Sequence, residues 1–318
     1  MSMDKEKHIL MGIDGSPGSR DALNYIGLIF SDNPAAYVDL LHILPPVPPI
    51  FTEPGQDLRE LQHIQKSAAK FEKECRERAA SSMEEAKNIL TQHNVKEDNL
   101  RFLVRPRVTE LPREFLSMEK GGIYDAIVLG RRGMSRIEEL FLGSLTNNIL
   151  QLAKKITVCV VDGKIKSKKL LLPIDGSPNS KRAINNAAWL LKESDFTEVT
   201  ILYVLTPLFP KEIKERISES EQIEAPLRDR LVRDAEELLA NAKKRLIKEK
   251  IPVDSIQTHL ETKSMGVAGS ILKFARNQNY NSIMIGRRGI SRTKQLFFGS
   301  VSHKIIQQAQ NMAVWVVS

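Results

Sequence analysis

The sequence of 318 residues has few cysteines and lacks long apolar runs. Its two cysteines, Cys75 and Cys159, have no spacing typical of a disulfide framework or a zinc site. No apolar run approaches the roughly 18 residues that a helix needs to cross a bilayer. The charged first eight residues also lack the apolar core of a signal peptide. We therefore expect a soluble, cytoplasmic protein with no membrane partner.

Aromatic residues make up only 6% of the chain, although its net charge is +8. A basic protein attracts polyanions of every kind, so the charge alone does not choose between nucleotides, nucleic acids and anionic membranes. Proteins that bind single-stranded nucleic acid combine a basic groove with aromatic side chains on which bases stack. Because no such platform is evident in the sequence, nucleic acid is not an expected partner.

Two common phosphate-binding motifs are also missing. A Walker loop needs Gly-x4-Gly-Lys followed by Ser or Thr, and no such segment occurs. The glycines Gly12, Gly15 and Gly18 do not form a dinucleotide-binding fingerprint, because two residues separate the first pair where that motif has one. These glycines are better explained by the turn that follows the first strand.

What the chain does contain is an internal repeat. Residues 13–17 (Ile-Asp-Gly-Ser-Pro) recur as residues 174–178, and the stretch 124–133 recurs at 280–289. The repeated unit is far longer than a solenoid repeat, so each copy should own its hydrophobic core. We therefore predict two domains, residues 1–163 and 164–318.

Each half alternates strand-like and helical segments. Its strands have nearly continuous apolar residues, which favours a sheet covered on both faces. The alternation predicts an α/β fold with a doubly wound parallel sheet. Pro173 interrupts one such strand, and we expect it at a bulge or where its missing N–H is not needed. The longest amphipathic stretch, residues 56–93, must either break or extend beyond its sheet.

A glycine-arginine signature follows the fourth strand of each half. In the first half, Gly-Arg-Arg-Gly at residues 130–133 is followed, after nine intervening residues, by Gly143 and Ser144. The second half repeats this spacing at 286–289, Gly299 and Ser300. Such glycines permit positive φ angles and close approach to a ligand. Ser144 could cap the helix that follows, whose first N–H groups favour an anion. A simple turn with a helix cap is the alternative, but the exact repetition of the spacing favours phosphate binding.

An aspartate ends the first strand of each half. Asp14 and Asp175 are each followed by Gly-Ser-Pro and a helix. The structural interpretation is an Asx turn at Asp14, with Ser16 as N-cap and Pro17 in the first helical position. The functional interpretation is a carboxylate that recognises a base, because a carboxylate beside a triphosphate would be repelled.

Together, the Asp-Gly-Ser and the Gly-x2-Gly-x9-Gly-Ser signature resemble the universal stress protein family, and in particular its ATP-binding branch. The resemblance covers almost the whole chain as two tandem domains. It implies that each domain is a five-stranded parallel sheet in the order 3-2-1-4-5, flanked by helices.

The resemblance also implies an adenine nucleotide site in each half, with ATP, together with Mg²⁺, as the expected ligand. Asp14 would contact adenine, and the backbone of Ile43 would lie near adenine or ribose. The ribose and phosphates would be lined by Gly130, Arg132, Gly133, Gly143, Ser144 and Leu145. The matching positions of the second half are Asp175, Val204, Gly286, Arg288, Gly289, Gly299, Ser300 and Val301.

Members of this family pair their fifth strands across a dimer. The resemblance therefore implies that the two halves of this chain pair through their last strands, residues 157–161 and 313–317. A further homodimer stays open.

The chain departs from the family pattern in its paired arginines. Both positions between the first two glycines are arginine in each copy, which is more basic than the family commonly shows. The pair either strengthens phosphate binding through charge-assisted hydrogen bonds or marks a larger or different anion. Asn281 stands where the first copy has Asp125, so the copies are not chemically identical.

We expect a binding or signalling module of the stress response rather than an enzyme. Slow ATP hydrolysis or phosphotransfer is one alternative, and a cleft for another anionic or lipid-like ligand is a second. The signature offers no evident catalytic base. Glu138 and Glu139 lie between the glycines of the first copy, but the same stretch of the second copy reads Thr293, Lys294 and Gln295.

Overall fold

The computed structural model describes residues 6–51, 58–119, 121–133, 142–192, 194–206, 220–262, 266–289 and 299–318. The chain divides into two compact units, residues 1–162 and 163–318. None of the helices in the described ranges is long and apolar enough to cross a membrane.

In the first unit, strands and helices alternate in chain order. They are β1 (Lys7–Gly12), α1 (Pro17–Ile29), β2 (Ala36–Leu44), α2 (Leu58–Gln92), β3 (Leu100–Pro106), α3 (Leu111–Glu119), β4 (Ala126–Gly130), α4 (Ser144–Leu152) and β5 (Thr157–Val161). Short 3-10 turns occupy Pro49–Phe51 and Glu97–Asn99.

The second unit repeats this alternation. Its elements are β6 (Lys169–Ile174), α5 (Pro178–Leu191), β7 (Glu198–Val204), α6 (Ser220–Lys248), β8 (Ile256–Glu261), α7 (Val267–Asn277), β9 (Ser282–Gly286), α8 (Ser300–Gln308) and β10 (Ala313–Val317). A 3-10 turn lies at Val253–Ser255.

Each unit holds a parallel sheet. The first has the order β3-β2-β1-β4-β5, and the second has the order β8-β7-β6-β9-β10. The predicted doubly wound α/β class and the 3-2-1-4-5 order are therefore confirmed. The strand order reverses between the first and fourth strand of each unit. In sheets of this kind, the reversal opens a crevice at the carboxyl ends of the strands.

Burial on both faces of the sheets explains the continuous apolar runs. All five residues of β5 and of β10 are buried, and Trp315 in β10 is fully buried. Helix α1 covers its sheet through an apolar face that includes Leu23, Ile26 and Ile29. Full burial of such a side chain contributes about 1.5–3 kcal/mol, so these residues hold the helix against the sheet.

Helix α2 is continuous over its 35 residues, about 52 Å at 1.5 Å per residue. Its buried apolar residues are Ala79, Met83, Ala86 and Leu90, whereas Leu61 is 38% exposed. Of the two predicted outcomes, the helix does not break. Its first turns therefore extend beyond the C-terminal part of the helix, where the apolar residues are buried.

Pro173 lies near the end of β6, where one neighbouring strand has already separated. The ladder between β6 and β9 contains Leu170 and Leu171 only, whereas the ladder between β6 and β7 continues to Ile174. The missing N–H of Pro173 therefore costs no bond to β9, in agreement with the expectation for this residue.

Candidate functional site

A cleft of about 240 Å³ lies at the carboxyl ends of the central strands in each unit. Eight predicted residues line the first cleft: Asp14, Ile43, Gly130, Arg132, Gly133, Gly143, Ser144 and Leu145. The other eight line the second: Asp175, Val204, Gly286, Arg288, Gly289, Gly299, Ser300 and Val301. The structure thus brings all sixteen together in two sets, while their roles toward a ligand stay predictions.

The aspartate of each cleft also forms a turn. The Ser16 N–H donates to Asp14 Oδ1 at 2.9 Å, and the Ser177 N–H donates to Asp175 Oδ1 at 3.0 Å. Gly15 between the first pair has a φ angle of +74°, which an L side chain rarely adopts. One carboxylate oxygen is therefore committed to an Asx turn, as the structural interpretation predicted, while the side chain still lines the cleft.

The helix after each aspartate begins where the sequence predicted. Ser16 is the N-cap of α1, its Oγ accepts from the Ser19 N–H at 3.1 Å, and Pro17 is the first helical residue. Ser177 caps α5 in the same way. A cap of this kind contributes about 1 kcal/mol, so the turn and the helix start are set by local sequence.

Gly130 and Gly133 do not use the positive φ angles that glycine permits, and neither do Gly286 and Gly289. Among the described glycines, positive φ is confined to Gly15, Gly122, Gly163, Gly176 and Gly266. The signature glycines are needed for space instead. A Cβ atom on Gly130 would lie 2.4 Å from the backbone carbon of Gly18, and one on Gly133 would lie 2.6 Å from Asp14 Oδ2.

In the second unit, Asn179 takes the place of Gly18. Its side-chain Nδ2 donates to the Arg288 carbonyl oxygen at 2.8 Å, and it packs where a Cβ atom on Gly286 would be 2.8 Å away. In the first unit the corresponding carbonyl, on Arg132, accepts from Ser16 Oγ at 3.5 Å. Both units thus anchor the signature loop to the helix after the first strand, by different side chains.

The prediction that Ser144 caps α4 is wrong. Gly143 is the N-cap, with φ −56° and ψ 143° and without a side-chain cap bond, and Ser144 is the first helical residue. Gly299 and Ser300 have the same arrangement at α8. Gly143 is held in this place because its N–H donates to the Arg131 carbonyl at 2.9 Å. With no side-chain cap, the first turn of α4 presents its N–H groups to the cleft that it lines, which favours an anion.

Sequence reasoning missed a hydroxyl in that first turn. Thr146 lines the first cleft, and its Oγ1 donates to the Gly130 carbonyl at 3.0 Å. Ser302 lines the second cleft and donates to the Arg287 carbonyl at 2.8 Å. The internal repeat could have revealed these residues, because both copies have a hydroxyl residue two positions after the serine of Gly-Ser. These bonds tie the helix start to the signature loop.

The two arginines of each signature have different environments. Arg132 and Arg288 line the clefts, whereas Arg131 and Arg287 are buried. Burial lowers the pKa of the Arg131 guanidinium, against the opposite effect of the nearby Asp162 carboxylate. Burial also lowers the pKa of Arg287, and the charge of Arg288 adds to this. Only the second arginine of each pair is therefore positioned to meet a ligand in the cleft.

The apolar ends of the two clefts are built from different residues. Gly12 and Phe115 line the first, and a Cβ atom on Gly12 would lie 2.7 Å from the Phe115 ring. Pro173 and Ile271 line the second at the matching positions. In the second cleft the strand residue, Pro173, is larger than Gly12, and the helix residue, Ile271, is smaller than Phe115. Neither pair was identified from the sequence.

The strands beside the aspartates also differ. His42 in β2 is buried, burial lowers its pKa, and the charge of Asp14 acts in the opposite direction. Tyr203 is the matching residue in β7 and lines the second cleft. Burial raises the pKa of Tyr203, with smaller contributions from Asp175 and Asp234.

No group of three or more His, Cys, Asp and Glu side chains that could hold a metal ion occurs in the ranges that the structure describes. The residues compared in the sequence as possible catalytic acids, Glu138 and Glu139 with Thr293, Lys294 and Gln295 of the second copy, lie outside the described residues.

The fold and the clefts define a tandem protein of the doubly wound α/β class, with a signature loop and an open helix start at each strand-order reversal. The Universal stress protein family model matches residues 6–161 and again residues 166–318. The chain belongs to this family.

Similar proteins carry the same family description. Universal stress protein YxiE of Bacillus subtilis is 30% identical over 141 residues, which cover 44% of this chain and 91% of that protein. A universal stress protein structure from Archaeoglobus fulgidus DSM 4304 aligns over 100% of this chain and 99% of its own, with 18% identity and a TM-score of 0.62. This second likeness shows the tandem fold. A further Archaeoglobus fulgidus structure, in complex with dAMP, covers 48% of this chain and 99% of its own at 21% identity and a TM-score of 0.32.

Proposed function

We propose that each unit binds an adenine nucleotide, ATP with Mg²⁺, and that the chain acts as a binding module of the stress response. The observation that carries this proposal is the convergence of three features on each cleft. These are a carboxylate at the end of the first strand, a guanidinium of the signature loop, and a helix start without a side-chain cap.

The two ends of the cleft suit the two ends of a nucleotide. Leu41, Ile43 and Phe115 give one end an apolar lining that suits a base. In the proposed pose Asp14 faces the base, because its carboxylate can accept hydrogen bonds from an amino group but would repel phosphate. Arg132 and the first turn of α4 supply positive charge and N–H donors for the phosphates.

The same geometry favours binding over catalysis. Among the described residues that line the first cleft, Asp14 is the one carboxylate. Its Oδ1 is tied into the Asx turn, and its negative charge would repel the phosphates rather than assist their transfer. Mg²⁺ would be held mainly through the nucleotide's own phosphates and water, as is usual for this ion. Cytoplasmic location, pairing through the last strands and a further homodimer stay predictions.

Calorimetric titration of the whole chain with ATP and Mg²⁺ tests the proposal. We expect two sites of micromolar strength or weaker, where a Kd of 1 μM corresponds to about −8 kcal/mol. Ligand at 100 times its Kd should stabilise the protein by about 2.7 kcal/mol per site. The absence of both heat and thermal stabilisation would overturn the assignment.

A second measurement identifies the natural ligand. Freshly purified protein is denatured, and the released small molecules are analysed by mass spectrometry. We expect adenine nucleotides at up to two per chain. Release of a lipid or of an unrelated anion would favour the alternative ligand class. In a separate assay of the native protein with ATP, phosphate release above a buffer control would favour an enzyme.

A further inference from the structure

Asp162 follows directly after β5 and lies beside both arginines of the first signature loop. Its Oδ1 is 3.6 Å from Arg132 Nη2 and 3.8 Å from Arg131 Nε. The Asp162 side chain is largely buried, with 15% of its surface exposed. It does not line the cleft itself, whereas Arg132 does. One carboxylate therefore serves two guanidinium groups, and one of these faces the cleft.

The two guanidiniums depend on this carboxylate to different degrees. The Arg131 side chain is 5% exposed, so its charge is withdrawn from water and needs a nearby counter-charge. The Arg132 side chain is 38% exposed and has water as an alternative partner. Asp162 is thus required by the buried arginine and is shared with the arginine of the cleft.

Backbone hydrogen bonds hold this arrangement in place. The Arg131 N–H donates to the carbonyl of Val161 at 2.7 Å, immediately before Asp162. The Arg131 carbonyl in turn accepts from the Gly143 N–H at 2.9 Å, at the start of α4. The backbone that carries Asp162 is therefore joined by hydrogen bonds to the signature loop, which keeps Asp162 beside the two arginines.

We propose that Asp162 sets the affinity of the first cleft for phosphate charge, by competing with the ligand for Arg132. This inference rests on the proposed function of the cleft. A phosphate that pairs with Arg132 must come within a few ångströms of a fixed carboxylate of the same sign. The resulting repulsion grows with each charge on the ligand. Asp162 is a specificity-determining residue in this sense, and it does not itself contact the base.

The expected signature is a gain in affinity that depends on phosphate number. In Asp162→Asn the gain should be absent for adenosine, small for AMP and roughly 3–10-fold for ATP, as a like-charge repulsion of about 1 kcal/mol gives. The same variant should have a lower melting temperature without ligand, because Arg131 loses its counter-charge. A merely structural role would lower stability without changing the ratio of ATP to adenosine affinity.

The titrations use adenosine, AMP, ADP, ATP and inorganic tripolyphosphate on the full chain. The parent and every variant carry Gly299→Val, which disables the second cleft. Asp162→Glu should keep the parent's affinity ratios. Asp162→Ser is a second neutral variant, for use if Asp162→Asn folds poorly. Serine is the residue at the matching position of the second unit, Ser318. Glu97→Gln is the matched control, because it removes one negative charge from an exposed pair with Lys87 in the turn before β3, at the opposite end of the sheet.

The outcomes separate this inference from the proposed function. If nucleotides bind the parent and Asp162→Asn leaves the ATP-to-adenosine ratio unchanged, the role of Asp162 is wrong and the nucleotide site stands. If nucleotides fail to bind but tripolyphosphate binds more tightly to Asp162→Asn, the ligand is wrong and the role of Asp162 stands. If neither nucleotide nor tripolyphosphate binds, both are overturned.

Discussion

Asp14 and Gly133 lie next to each other in the lining of the first cleft, although they are on different loops. A Cβ atom on Gly133 would be 2.6 Å from Asp14 Oδ2, and Asp175 and Gly289 repeat this relationship at 2.5 Å. The proposed base end and phosphate end of each cleft therefore share a boundary. A change on one side must displace the other.

Gly133→Ala tests this contact. The added methyl group should push the Asp14 carboxylate from its place, and the Ser16 hydrogen bond resists that movement. We expect ATP affinity of the first cleft to fall at least 10-fold, with a loss of about 1–3 kcal/mol in unfolding free energy. Titration calorimetry and urea unfolding measure the two effects.

Gly269→Ala is the control for this substitution. A Cβ atom at this position in α7 meets no other atom within 4 Å, so alanine should leave binding unchanged and add up to about 1 kcal/mol of stability. Parent-like ATP binding by Gly133→Ala would show that the contact between Asp14 and Gly133 does not shape the site.

Valine at Gly143 or Gly299 should disable one cleft each. A Cβ atom on Gly143 would lie 3.1 Å from the Arg131 carbonyl oxygen, and one on Gly299 would lie 3.2 Å from the Arg288 Cα. The branched side chain should force the helix start away from the signature loop. We expect each single variant to bind one ATP per chain and the double variant to bind none. Two sites of parent strength in either single variant would show that the phosphate end is misassigned.

The packing of Gly12 against Phe115 predicts a compensating pair. Gly12→Ala should cost about 1–3 kcal/mol, because its methyl group overlaps both the Phe115 ring and the Leu129 side chain. Phe115→Ile, which copies the residue at the matching position Ile271, should recover part of that loss in the double variant. A double-mutant cycle by urea unfolding gives the coupling energy. Additive effects would contradict the compensation.

Buried His42 should make the first unit less stable in mild acid. Burial lowers its folded-state pKa below the ordinary value of about 6.5. The unfolded chain therefore binds the proton first. The stabilising effect is fully present above about pH 6.5 and is lost as the pH falls below it. The urea midpoint of the parent should drop between pH 7.5 and pH 5.5 by more than that of His42→Gln.

The exposed His63 in α2 supplies the control for this pH dependence. His63→Gln removes an imidazole that is already in water, so it should keep the parent's pH profile. Identical profiles for the parent and His42→Gln would show that His42 does not limit stability in acid.

Repetition made much of this molecule predictable. A motif that occurs twice at one spacing locates the strand ends in both units, and the order of parallel strands then brings Asp14 and Arg132 to the same crevice. The caps Ser16 and Ser177 were predictable because their bonds reach only three residues along the chain. Local chemistry was sufficient in these cases.

The errors arise where a residue is chosen for a distant partner. Sequence does not distinguish a glycine that needs a positive φ from one that must leave space. Gly15 is of the first kind, and Gly130 is of the second because Gly18 packs against it. Asp162 was missed for a similar reason. It meets Arg131 and Arg132 only because β5 lies beside β4 in the folded sheet.

Gly18 and Asn179 show that the two halves have diverged to different solutions of one contact. The first solution needs the absence of a side chain, and the second needs the presence of one. A Cβ atom on Gly18 would lie 2.3 Å from the Arg132 carbonyl oxygen. The single substitution Gly18→Asn would therefore create a steric clash with the signature loop of the first unit. We therefore expect the effect of this substitution to depend on the signature loop that it contacts. A chimeric protein should therefore exchange the helix after the first strand together with the signature loop of the same half.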